Sequence, residues 1–151
     1  MTRLLIASLV AAAAVSAAPA GAVIHPGSSI AGAKLGMTRA EVRATLGEPA
    51  RVTRGTNFFG RFRVFHYFRL KVTFQGEQTA TSVKTTRLRE RTPGGAGVKS
   101  TRAQVLARVR NVRCPTPTLC HKGRFVPGGR VTVFRLFGGR VTSVEVGFVI
   151  D

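Results

Sequence analysis

The sequence predicts an α+β fold: two tandem helix-plus-antiparallel-sheet repeats following a signal peptide. Three observations predict it: an apolar N-terminal run, a segment beginning at Leu35 that recurs at Val98, and alternating apolar residues downstream of each copy. The chain has 151 residues, 44% of them hydrophobic, which suits a small packed core. That composition excludes collagen, a coiled coil and a multispan membrane protein.

Residues 1–22 read as a secretory leader. Arg3 gives the positive start, Leu4 to Val15 carries no charge, and Ala20-Gly21-Ala22 offers small residues for cleavage. An uncleaved anchor competes poorly, because the run is Ala-rich and interrupted by Pro19. The expected location is therefore secreted or extracytoplasmic, with no integral membrane segment after cleavage. No Cys precedes Cys114, so the lipid-anchoring cysteine of a bacterial lipoprotein is not available. In an oxidising compartment Cys114 and Cys120, enclosing Pro115-Thr116-Pro117-Thr118-Leu119, are expected to form one disulfide in a Pro-rich loop. A metal site using His121 is disfavoured, since the spacing is not that of structural zinc and only three ligands are present.

A short N-terminal segment, 23–34, leads into the first repeat, 35–88. Leu35-Gly36-Met37-Thr38-Arg39-Ala40-Glu41-Val42 aligns with Val98-Lys99-Ser100-Thr101-Arg102-Ala103-Gln104-Val105. Thr38 with Glu41, and Thr101 with Gln104, are capping boxes: each hydroxyl and each N3 side chain satisfies an amide left free at a helix start. The first helix carries Val42 and Leu46 and stops at Gly47-Glu48-Pro49. The second carries Val105, Leu106, Val109 and Val112 and ends before Cys114. After the first helix, Phe62, Val64, His66, Phe68, Leu70, Val72 and Phe74 alternate with the odd-numbered positions, so Arg61 to Phe74 reads as one long strand. Gln75-Gly76-Glu77-Gln78 and Phe137-Gly138-Gly139-Arg140 read as turns, and Thr81-Ser82-Val83 recurs as Thr142-Ser143-Val144. Residues 89–97, with Pro93-Gly94-Gly95, read as a linker before the second repeat, 98–151.

Leu35-Gly36-Met37-Thr38, Glu41-Val42, Leu46-Gly47 and Pro49, followed by Leu70-Lys71-Val72-Thr73-Phe74 and a Gly turn into Val83, resemble the helix-plus-sheet unit of the SmpA/OmlA outer-membrane assembly lipoproteins. Two such units in one exported chain resemble the β-lactamase inhibitory protein family. That resemblance implies a concave sheet surface that grips a partner protein.

The acidic residues give little support to an enzyme. Glu41 is committed to its cap, Glu48 ends a helix, Glu77 sits in a turn and Glu90 in the linker, leaving Glu145 on a strand. Gly27-Ser28-Ser29 makes no nucleophile elbow, and Gly94-Gly95-Ala96-Gly97 lacks the Lys-Ser/Thr ending of a phosphate loop. Cys120-His121 is better read as half a disulfide than as a thiolate pair, and His66 as a strand histidine. A non-enzymatic protein without cofactor or metal is expected.

Charge points to binding. The chain holds 24 Lys+Arg against 6 Asp+Glu, for a net charge of +18, and removal of the leader takes away only Arg3. If Arg61 to Thr73 is extended, Arg61, Arg63, Phe65, Tyr67, Arg69 and Lys71 project from one side as a basic and aromatic surface. A turn near Tyr67-Phe68 would instead reorder the two sides. In the second repeat the register is ambiguous, with Arg135 among Val131, Val133 and Phe137, and Thr132, Phe134 and Leu136 opposite. The expected partner is an acidic protein, the alternative an anionic envelope polymer, lipid headgroup or nucleic acid. Export counts against nucleic acid.

Overall fold

The computed structural model describes residues 23–150, so the leader predicted over 1–22 and Asp151 lie outside the described residues. It overturns the expected fold class. About 48% of the described residues are strand and 12% helix, and the longer strands form one large antiparallel sheet in place of separate helix-plus-sheet units.

Three two-residue strands, β1 (Ile24–His25), β2 (Ser29–Ile30) and β3 (Ala33–Lys34), form a small meander ahead of α1 (Arg39–Leu46). Then come β4 (Arg51–Asn57), β5 (Gly60–Tyr67), β6 (Leu70–Gln75) and β7 (Ser82–Thr85). The second half runs α2 (Arg102–Arg108), β8 (Val112–Thr116), β9 (Leu119–Lys122), β10 (Arg130–Phe137) and β11 (Arg140–Phe148). All eight long strands join one sheet in the order β4-β5-β6-β7-β11-β10-β9-β8. The joint is the antiparallel pairing of β7 with β11, from Val144 opposite Thr85 to Gly147 opposite Ser82. One continuous hydrogen-bonded ladder therefore crosses the middle of the molecule, and this is the reason the chain does not divide into two sheets.

Both helix starts follow the sequence reading. Thr38 accepts from the Glu41 amide while Glu41 accepts from the Thr38 amide, and Thr101 and Gln104 make the same reciprocal pair. The hydrogen bonds to Thr38 hold the Glu41 carboxyl below its ordinary value. Yet the helices have only 8 and 7 residues. The second stops at Arg108, and Val112, expected on it, begins β8.

Strand pairing fixes which side chains are covered. Phe65 pairs with Val72, Val72 with Val83, Val83 with Val146, and Val144 with Phe134. Paired residues share a face, and these form the core together with Leu70, Phe74 and Cys120, all essentially inaccessible. The helices and the meander lie over this face. Arg43 of α1 stacks 4.5 Å above the Phe65 ring, Tyr67 donates its hydroxyl to the Gly47 carbonyl at 3.1 Å, and the Gly27 amide donates to Thr132 Oγ1 at 2.6 Å. In β10 the ambiguity resolves with Thr132, Phe134 and Leu136 buried and Arg135 exposed.

Residues 89–97, expected as a linker, are packed. Glu90 is fully buried, accepting from Thr85 Oγ1 at 3.1 Å and pairing with Arg87 and Arg89 at 3.4 and 3.2 Å. A Cβ on Gly97 would come within 2.5 Å of the Glu90 carbonyl oxygen, so only glycine lets the chain pass there. The expected disulfide between Cys114 and Cys120 is present, joining β8 to β9 across a hairpin rather than closing an irregular loop.

Candidate functional site

The six residues expected to share one exposed face do not share it. The run from Arg61 to Phe74 turns back at Phe68-Arg69, where Arg69 takes a left-handed φ of 52°, and becomes the antiparallel pair β5 and β6. Reversal swaps the faces. Phe65 is buried under α1, and Tyr67 is half-buried with its hydroxyl bonded to Gly47. Arg63 is mostly buried and pairs with Glu77 at 3.1 Å, and Arg61 pairs with the same carboxylate at 3.3 Å. The hydrogen bond from Arg63, reinforced by the charges of Arg61, Arg63 and Arg39, keeps the Glu77 carboxyl below its ordinary value against the opposing effect of burial. Only Arg69 and Lys71 remain free for a ligand, on a turn and on the opposite face respectively.

Two other surfaces take their place. The first lies at one end of the sheet, where the β5–β6 and β10–β11 turns flank the segment after β7. Phe68 and Phe137 are 79% and 81% exposed and Leu88 is 51% exposed, an unusual concentration for side chains that ordinarily bury. A groove of about 410 Å³ runs between Phe68, Arg69, Arg87, Leu88 and Arg89. A second, of about 290 Å³, shares Arg69 and Leu88 with it and continues past Lys99 and Arg140 to Phe137. Arg87 donates to the Phe68 carbonyl at 2.6 Å and Arg140 to the Lys99 carbonyl at 3.1 Å, which ties both turns to the segments beside them. Five cations rim these grooves, and two of them, Arg87 and Arg89, are already paired with the buried carboxylate of Glu90.

The second surface is the face of the sheet away from the helices. Register aligns one residue from every strand across it: Arg51, His66, Lys71, Lys84, Glu145, Val133, His121 and Arg113. Phe62, on the same face, lies against Gly55, where a Cβ would stand 2.7 Å from the ring. His66 sits 2.9 Å from Thr53 Oγ1. Burial, followed by the charges of Arg51 and Lys71, holds its imidazole below the ordinary value.

The sequence offered little warning of the first surface. Phe68 stands in an alternating apolar run and Arg69 is not a usual turn residue, so a turn near Tyr67-Phe68 stands only as the alternative to one long strand. Phe137 was the legible member, because Gly138-Gly139 places it at a turn.

No protein-family model and no curated protein matches the sequence. Among solved structures, an extracellular protein containing an SCP domain from Bacillus anthracis is similar in fold, with 9% identity and a TM-score of 0.50. The similarity covers 76% of this chain and 44% of that one, so the chain spans less than half of that protein's length. A DUF4309 family protein, YjgB, from Bacillus subtilis gives a weaker likeness, with 16% identity and a TM-score of 0.41 over 74% of this chain and 78% of that one. Neither is an SmpA/OmlA or β-lactamase inhibitory protein. Among the described residues no helix is long and apolar enough to cross a membrane.

Proposed function

We propose that this chain is an exported, non-enzymatic binding protein that captures an acidic segment of a partner protein at the end of its sheet. An apolar side chain of the partner enters the grooves between Phe68, Leu88 and Phe137, and its carboxylates pair with Arg69, Lys99 and Arg140. The observation that carries this reading is the cluster of three exposed apolar side chains inside a ring of cations. Protein recognition concentrates its energy in a few aromatic and guanidinium anchors, and this end supplies both. Complementary charge would speed the encounter and set its polarity. Export is supported by the leader pattern over 1–22 and by the disulfide. The extracellular character of one structurally similar protein agrees with it.

Selection from a random peptide display library on the purified chain tests the proposal. Enriched peptides should pair an aromatic or aliphatic residue with flanking Asp or Glu. Phe68→Ala/Phe137→Ala should weaken them about tenfold or more, roughly 1.4 kcal/mol. Enrichment of peptides without acidic residues, or binding indifferent to the double variant, would overturn it.

A further inference from the structure

The open face carries a run of basic side chains, three cations and a histidine, that the packing of the fold does not require. Arg51, His66, Lys71 and Lys84 are direct neighbours on β4, β5, β6 and β7. Adjacent strands lie about 4.8 Å apart, so the four positions span roughly 14 Å in a straight line across the sheet. Like charges placed opposite each other weaken a strand pair, and Lys71 stands directly opposite Lys84. Among the described residues, neither lysine takes part in an ion pair. Glu145 on β11 stands directly opposite Lys84 and ends the basic run there, with no ion pair formed between the two. The neighbouring row on the same face adds the hydroxyls of Thr53, Thr73 and Ser82.

We infer that this ladder is a binding site for a linear chain of phosphate groups lying across β4 to β7. Complementarity of hydrogen bonding favours phosphate over an acidic peptide. Lysine and arginine heads only donate, and phosphate oxygens only accept. A peptide laid over the sheet would bring backbone amides that need acceptors, while the strand carbonyls beneath are committed to the sheet ladder. Single-stranded nucleic acid would look for aromatic platforms, and Phe62 is already laid against Gly55. The ladder lies on a different surface from the end grooves and stands whether or not they bind protein.

The groups facing His66 are Arg51 and Thr53 on β4 and Lys71 on β6. A phosphate seated among them offsets the two cations that disfavour the protonated ring, so binding should raise the His66 pKa. The test combines calorimetric titration with NMR titration of His66, using linear polyphosphate, poly(glycerol phosphate) and poly-glutamate as probes. Wild type is compared with Lys71→Gln/Lys84→Gln and with Arg108→Gln/Arg110→Gln, which removes the same charge on and just after α2. The lysine pair should weaken binding of a phosphate polymer at least ~10-fold and lower its salt slope by about 2, while the arginine pair changes affinity less than ~2-fold. The tighter of the two phosphate polymers identifies the source. Should the lysine pair fail to fold, Arg51→Gln on the edge strand carries the same expectation at half the change in slope. Equal losses in both double variants, a His66 pKa unmoved by ligand, or poly-glutamate binding as tightly as polyphosphate would each overturn the site.

Discussion

The two faces of the sheet come from the same strands and have opposite chemistry. On β5, Phe65 is sealed beneath α1, and its next neighbour in sequence, His66, stands between Arg51 and Lys71 on the uncovered side. On β7, Val83 is buried and Lys84 faces outward. Alternation alone would produce two such faces in any strand. The assignment of each set depends on the turn at Phe68-Arg69, because reversing the chain there carries the odd residues of β5 and the even residues of β6 onto one side. A register slip of one residue would exchange the faces entirely.

Substitutions should separate the faces most sharply at adjacent positions. Phe65→Ala removes a buried ring that touches Phe74, with centroids 4.8 Å apart, and lies under Arg43. Its expected cost is about 3–5 kcal/mol, measured as a fall in the urea midpoint at unchanged slope. A loss under 1 kcal/mol would mean that this face is not the core.

The second expectation concerns acid. His66 has a folded pKa below its ordinary 6.5, so between those two values the unfolded chain binds a proton that the folded chain does not. Stability should therefore be fully present above pH 6.5 and decline as pH falls through that window. Glu41 and Glu77, both held below their ordinary 4.5, add a second decline at lower pH. His66→Asn should flatten the first step and leave the second. Urea unfolding measured from pH 8 to pH 3 resolves the two, and an unchanged first step in the variant would remove His66 from the account.

The smallest effect belongs to Lys84→Gln. It relieves the opposition to Lys71 and gives up the attraction of Glu145 on the other side, so stability should stay within about 0.5 kcal/mol of wild type. A loss comparable to that of Phe65→Ala would show that Lys84 supports the fold.

Local signals were the legible part of the sequence. The capping boxes at Thr38 and Thr101 fixed both helix starts, Gly76 and Gly138-Gly139 marked two turns, and the close cysteines marked the disulfide. What escaped depended on distant contacts. The turn at Arg69 uses a left-handed residue that carries none of the usual composition, so one extended strand was the preferred reading and the basic face took in Arg63, Phe65 and Tyr67, which are partly or fully covered. The Gly- and Pro-rich stretch 89–97 resembled a tether because its composition does not reveal that Glu90 is neutralised by Arg87 and Arg89 in the interior. Pairing of β7 with β11 joins residues far apart in sequence, and no local pattern announces it. The end grooves combine parts from four separate segments, of which only the turn beside Phe137 was visible.

That central pairing also sets the order in which the molecule can be completed. When β4 to β7 have formed, β7 still presents unsatisfied amides and carbonyls along one side, and its partner arrives only after α2, β8, β9 and β10 have been made. Until then the growing chain holds a half-finished sheet with a sticky border, the kind of surface that recruits other chains. Late closure makes assembly slow relative to a helical protein of this size. A nascent chain would be safer kept unfolded until β11 is available to seal the gap.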